Sequence, residues 1–121
     1  MTLYQDQILD HYRNPRNFGS LPHATHHAGA KNPTCGDSLQ MDIVVQNGTI
    51  SDVRFTGSGC AISQASASLL SEAIRGERVE DALALKPEAV LKLLGVPLSP
   101  GRMKCGLLSL ETLHKTLTSK Q

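Results

Sequence analysis

Aromatic side chains are almost missing. Two Tyr, two Phe and no Trp amount to 3% of 121 residues, so a core has to be assembled from Leu, Ile, Val, Ala and Met. Charge of either sign is not in surplus: 12 Lys and Arg against 11 Asp and Glu leave a formal net charge of +1. That balance excludes the broad basic field with which nucleic-acid or anionic-membrane binders work, and any charge recognition has to be local. No apolar run reaches the roughly 20 residues that cross a bilayer. The N-terminus lacks the charged, apolar and cleavage regions of a secretory signal, and a cytoplasmic location is expected. Cysteine is scarce as well. Three thiols, an odd number, read as metal ligands or reactive groups and not as a disulfide framework. At 13.0 kDa the chain is expected to be one domain over residues 1–121, large enough to bury a core without covalent staples.

Helical spacing of Tyr4, Ile8, Leu9 and Tyr12, with Thr2 and Gln5 at capping-box positions, predicts a helix over about 3–13. Asn14-Pro15 stops it, and a loop follows to Pro22. His23 to Ala30 has no clean period. Leu39, Met41, Ile43 and Val45 alternate with polar neighbours, the pattern of a half-buried strand, and Asn47-Gly48 supplies the positive φ angles of a hairpin. On the return strand, Thr49 to Thr56, Ile50 is out of phase with Val53 and Phe55, which predicts a bulge near Ser51-Asp52. Beyond it, Ile62, Ala65, Leu69, Leu70, Ala73 and Ile74 form a helical stripe from about Ser63, ended by Gly76. The small residues Ser63, Ala65, Ser66, Ala67 and Ser68 admit another backbone closely. Short helices are expected over Val79–Leu85 and from Pro87 to Leu94, with Gly95 as a stop. A last helix is expected with Ser99 as N-cap and Pro100 at its first position.

The chemistry sits in three places. Asn32-Pro33-Thr34-Cys35-Gly36-Asp37 precedes the first hairpin strand, and Gly57-Ser58-Gly59-Cys60-Ala61-Ile62-Ser63 follows the second. Antiparallel pairing therefore brings Cys35, Asp37 and Cys60 to one end of the sheet. Cys60 stands just ahead of a helix start, where free amides and the helix dipole favour a thiolate. Cys105, in Arg102-Met103-Lys104-Cys105-Gly106, is the third thiol. Three thiolates and a carboxylate suit a tetrahedral zinc site, or equally a two-iron cluster. Asp37 taken alone reads equally as an Asx-turn residue. Arg102 and Lys104 read as cations that screen an anionic site and touch a partner's acidic surface, or simply as solvated charges. His26 and His27 lack ligand spacing and are expected to be exposed, while His11 and His114 are expected at the surface or partly packed.

These segments, together with Ile8-Leu9-Asp10-His11-Tyr12-Arg13-Asn14-Pro15-Arg16-Asn17, resemble the U-type iron-sulfur assembly family of IscU, SufU and the N-terminal domain of NifU, over almost the whole chain. The resemblance implies an α+β fold, a three-stranded antiparallel sheet packed against helices, with His23 to Ala30 as the first strand. It also implies a partner cysteine desulfurase that passes persulfide sulfur to a thiolate of this chain; Cys35 is the expected acceptor, because a flanking turn can move without disturbing a helix, and Cys105 is the alternative. Cys35, Asp37, Cys60 and Cys105 are then the expected ligands of zinc or of a [2Fe-2S] cluster, and apo iron-sulfur proteins the expected recipients. Two further roles stay open, a scaffold that assembles and transfers the cluster and a structural zinc module for docking. The Arg-x-Lys-Cys ending is similar to SufU, whereas Lys104 stands where IscU has a histidine. The short interval between Cys60 and Cys105 leaves no room for the insertion typical of SufU.

Overall fold

A computed structural model describes residues 3–33 and 36–119. Thr2 and Cys35, both singled out in the sequence, lie outside the described residues, as does the side chain of Tyr4. The order of elements is α1 (Leu3–Arg13), β1 (His26–Asn32), β2 (Asp37–Gln46), β3 (Thr49–Ser58), α2 (Ala61–Ile74), α3 (Val79–Leu83), α4 (Pro87–Leu94) and α5 (Pro100–Thr118). The strands form one antiparallel sheet in the order β1-β2-β3. This is the expected α+β architecture. No helix among the described residues is long and apolar enough to cross a membrane.

The hairpin follows from its turn and its bulge. Asn47 and Gly48 have φ of 54° and 77°, the pair of left-handed residues that matches the twist of a two-residue connection. Val44 pairs with Asp52 and Val45 with Ile50, so Ser51 is the additional residue. That single insertion returns Ile50 to the face of Val53 and Phe55, and all three are buried. The phase break in the sequence is thus what keeps the face continuous. Met41, Ile43, Ile50 and Val53 pack with Ala65, Leu69, Leu70 and Ile74 of α2 and with Leu110, Leu113 and Leu117 of α5. A second cluster joins Ala30, Leu39 and Phe55 to Ala67 and Leu108.

Several boundaries differ from the sequence reading for local reasons. The first strand is His26–Asn32 rather than His23 to Ala30, because its register with β2 runs on to Asn32 opposite Asp37. The second helix begins at Ala61, two residues ahead of Ser63. Burial spreads beyond the apolar stripe to every residue from Ser63 to Ser71, while Ala73 of the stripe is exposed. The third helix ends at Leu83, where Ala84 caps it. Gly95 ends α4 in the left-handed region with φ 74°, as a C-terminal glycine should.

The contact between α2 and α5 uses the small residues anticipated for it. Ser66 Oγ donates to the Gly106 carbonyl at 2.7 Å and lies 2.6 Å from Ser109 Oγ. Side chains longer than serine would hold the helices apart here. A Cβ on Gly106 would meet Leu98 Cδ1 at 2.5 Å, so this glycine also seats the connection that precedes α5. The helices consequently converge near their N-terminal ends, the ends that carry Cys60 and Cys105.

His11 is buried, at 5% exposure, which corrects the surface or partly packed placement expected for it. The Arg16 amide donates to Ser68 Oγ at 2.9 Å, and Ser68 Oγ lies 2.7 Å from His11 Nδ1. With the serine hydroxyl donating to Nδ1, the ring proton sits on Nε2, which is 3.7 Å from Glu72 Oε1. This network ties the end of α1 to α2. Burial, and then the charge of Arg16, hold the His11 pKa below its ordinary 6.5, against the opposing pull of Glu72 and Asp10. A base with a depressed folded-state pKa binds fewer protons folded than unfolded. Its contribution is complete above about pH 6.5 and is lost as pH falls from there through the folded value. Urea midpoints should therefore drop between pH 7.5 and 5.5, and His11→Gln should flatten that drop. An equally steep decline in the variant would assign the pH dependence to other groups.

Candidate metal centre

The site is built where β2 and α2 begin. The β1–β2 connection is short: Asn32 pairs with Asp37, and the Gly36 amide donates to the Asn32 carbonyl at 2.8 Å. Asp37 is 1% exposed, and its burial is made tolerable by two donors. Cys60 N–H donates to Asp37 Oδ1 at 2.8 Å, and the Cys60 sulfur is 3.6 Å from Asp37 Oδ2. Cys60 is the N-cap of α2 and makes no side-chain cap hydrogen bond, so its thiol remains directed at the carboxylate. Ser63, fully buried, donates to the Cys60 carbonyl at 3.1 Å and fixes the first turn.

Gly59 makes this approach possible. Its φ is 139°, and a Cβ there would overlap the Asp37 carboxylate and lie 2.9 Å from Asp37 Cα. Conformation and space both demand glycine. Cys105 comes from the second turn of α5 and is 1% exposed. Asp37, Cys60 and Cys105 each offer a ligand atom, and these atoms all lie within 4.8 Å of one another. A tetrahedral ion with Zn–S near 2.3 Å and Zn–O near 2.1 Å holds its sulfur and oxygen about 3.6 Å apart. The Cys60–Asp37 separation already has that value, so two soft sulfurs and a carboxylate oxygen fit zinc or an iron-sulfur cluster in type and in spacing.

Of the four expected donors, three converge. The fourth, Cys35, lies outside the described residues. Arg102 and Lys104 are exposed and form no ion pair among the described residues. Arg102 borders an apolar groove of about 860 Å³ lined by Ile8, Leu9, Ile62, Val96 and Leu98. Lys104 faces Lys31 across a cleft of about 450 Å³ that includes Asn32, Pro33 and Met103. His27 is exposed and His26 half-buried, paired with Thr25 Oγ1 at 2.9 Å; neither joins the site. His114 is half-buried on α5. Two neighbours of the site were not singled out from the sequence. Ser63 could have been suspected from its place three residues into the helix start, but the inward-facing amide of Asn32 depends on contacts far along the chain and leaves no local signal.

Residues 3–120 match the family described as NifU-like N terminal domain. The chain belongs to that family. It is 34% identical to the zinc-dependent sulfurtransferase SufU of Bacillus subtilis, over 99% of this chain and 92% of that protein. The alignment is longer than this chain, so that relative carries residues inside the matched span that are missing here. Identity reaches 40% with the iron-sulfur cluster assembly scaffold protein IscU of Thermotoga maritima, over 95% of this chain and 92% of that protein. A solved structure of a candidate iron-sulfur cluster assembly scaffold of the SUF system from Fervidobacterium islandicum superposes with a TM-score of 0.78 at 27% identity, covering 98% of this chain and 96% of that one. The N-terminal part of a NifU-like protein from Brucella abortus has the same fold, with a TM-score of 0.76 at 20% identity.

Gly59→Ala should pull Asp37 away from the Cys60 amide. A loss of about 1–3 kcal/mol in unfolding free energy is expected from a forced left-handed alanine and a displaced buried carboxylate, read by chemical denaturation. A change under about 0.5 kcal/mol would mean that the turn relaxes without disturbing the carboxylate.

Proposed function

We propose that this protein accepts sulfur from a cysteine desulfurase at a metal site made by Cys35, Asp37, Cys60 and Cys105, for iron-sulfur cluster assembly. The observation that carries the reading is the gathering of Asp37, Cys60 and Cys105 from three separate elements to within 4.8 Å. The name of the Bacillus subtilis relative, a zinc-dependent sulfurtransferase, supports zinc as the resting occupant. Bound zinc would keep the coordinating sulfurs deprotonated and protected from oxidation until a partner docks.

The transfer itself is a thiol–disulfide-type exchange. A thiolate of this chain attacks the terminal sulfur of the partner's persulfide, a new S–S bond forms here, and the partner's S–S bond breaks with its electron pair leaving on the partner's cysteine thiolate. Cys35 is the proposed acceptor, standing two residues ahead of Asp37 in the sequence. Cys105 is buried within α5 and is the alternative acceptor. Arg102 and Lys104, exposed beside the two depressions that flank the site, are proposed to meet an acidic surface of the desulfurase. Asp37 is proposed as the exchangeable ligand, since a carboxylate oxygen is the hardest donor in the set.

A second reading, a scaffold on which a [2Fe-2S] cluster is assembled and passed to apo-proteins, is favoured by the scaffold names of relatives at 40% identity from Aquifex aeolicus and Thermotoga maritima. Protein isolated without oxygen should contain close to one zinc and no labile sulfide under the first reading. Iron and sulfide in equal amounts would establish the second. Cys35→Ser should abolish stimulation of sulfide release by the desulfurase, whereas undiminished stimulation would leave the chain a docking module only. Asp37→Ala should retain its metal longer in a chelator competition, and faster loss would remove Asp37 from the role of exchangeable ligand.

A further inference from the structure

We infer that Asn32 is a positioning residue for the sulfur of Cys105, acting through an amide N–H directed at Sγ; the inference rests on the metal-site reading above and extends it. Asn32 ends β1, and its carbonyl receives the Gly36 amide. Its backbone therefore anchors the connection into Asp37. Its side chain turns inward. Asn32 is 6% exposed, and Nδ2 lies 4.0 Å from Sγ of Cys105, a residue 73 positions away and 1% exposed.

A neutral thiol is a weak acceptor, and 4.0 Å is a long contact for it. A metal-bound thiolate carries negative charge in a place water hardly reaches, and there a neutral amide donor becomes a stabilising partner. The two described sulfurs are consequently not equivalent. Cys60 faces the Asp37 carboxylate, with the Ser63 hydroxyl 3.9 Å away, and is half-open to solvent. Cys105 has a buried amide donor. Asparagine is also the right choice over its isostere, because an aspartate would set a second carboxylate beside Asp37 and against a thiolate. Such outer partners change metal affinity by about 10–100-fold.

The test uses the full chain, stripped of metal without oxygen and loaded with cobalt(II) or zinc. Asn32→Leu should shift the sulfur-to-cobalt charge-transfer band and weaken zinc about tenfold in a chelator competition. Asn32→Asp should weaken zinc further, and if it does not fold, Asn32→Leu carries the test alone. A purely structural Asn32 would lower the thermal midpoint of the metal-free protein and leave the band in place. That outcome, or variant zinc affinities within about twofold of the parent, overturns the inference and leaves the metal site intact. A parent protein with no thiolate-to-cobalt band overturns the metal site and this inference together.

Discussion

A single carboxylate holds the centre of this molecule in register. Asp37 opens β2, and by accepting the Cys60 amide it ties the start of the middle strand to the start of the main helix. A buried carboxylate is costly without donors, so the two segments are obliged to meet. Once they do, the free edge of the same carboxylate lies beside the Cys60 sulfur at a ligand-to-ligand spacing. One side chain thus contributes to the fold and is offered to an ion at the same time. Gly59 follows from the same constraint, since nothing larger than hydrogen fits between the turn and the carboxylate.

Cys105 reaches the site by a different route. The seam between α2 and α5 is made of Ser66, Ser109 and Gly106, and their small size brings two helix starts together. Neither helix needs a ligand of its own at that crossing. The geometry of the donors is therefore set by the packing of groups that touch no metal, which is how a site on rigid elements keeps its shape.

Much of this could be read from the chain. The Asn47-Gly48 hairpin, the bulge at Ser51, the stops at Gly76 and Gly95 and the Ser99-Pro100 helix start are written in local turn chemistry, and they appear where local rules put them. Antiparallel pairing alone brought the beginning of β2 to the end of β3, which made Asp37 and Cys60 neighbours in advance. The first strand was harder, because His26-His27-Ala28-Gly29 has neither strand periodicity nor strand composition. Its conformation is imposed by pairing with β2 along one edge, a tertiary effect that overrides propensity. The burial of His11 was hidden for a similar reason. It depends on Ser68, 57 positions away, and nothing in the neighbourhood of His11 announces a partner. Asn32 is another case: it stood within the quoted motif, yet the direction of its amide is decided by where α5 packs.

The segment that follows α1 adds something different. Asn17 and Gly19 exchange backbone hydrogen bonds with Phe55, at 2.9 and 2.8 Å, and the Phe18 ring stands edge-on to that of Phe55 with centroids 5.4 Å apart. This strap runs beside β3 where a further strand would otherwise pair. An open strand edge is a template for β-augmentation by another chain, and here the amide and carbonyl of Phe55 are already taken. At that point of the border another molecule would meet side chains and not a waiting pair of backbone groups, a contact that forms and dissolves without unzipping a ladder.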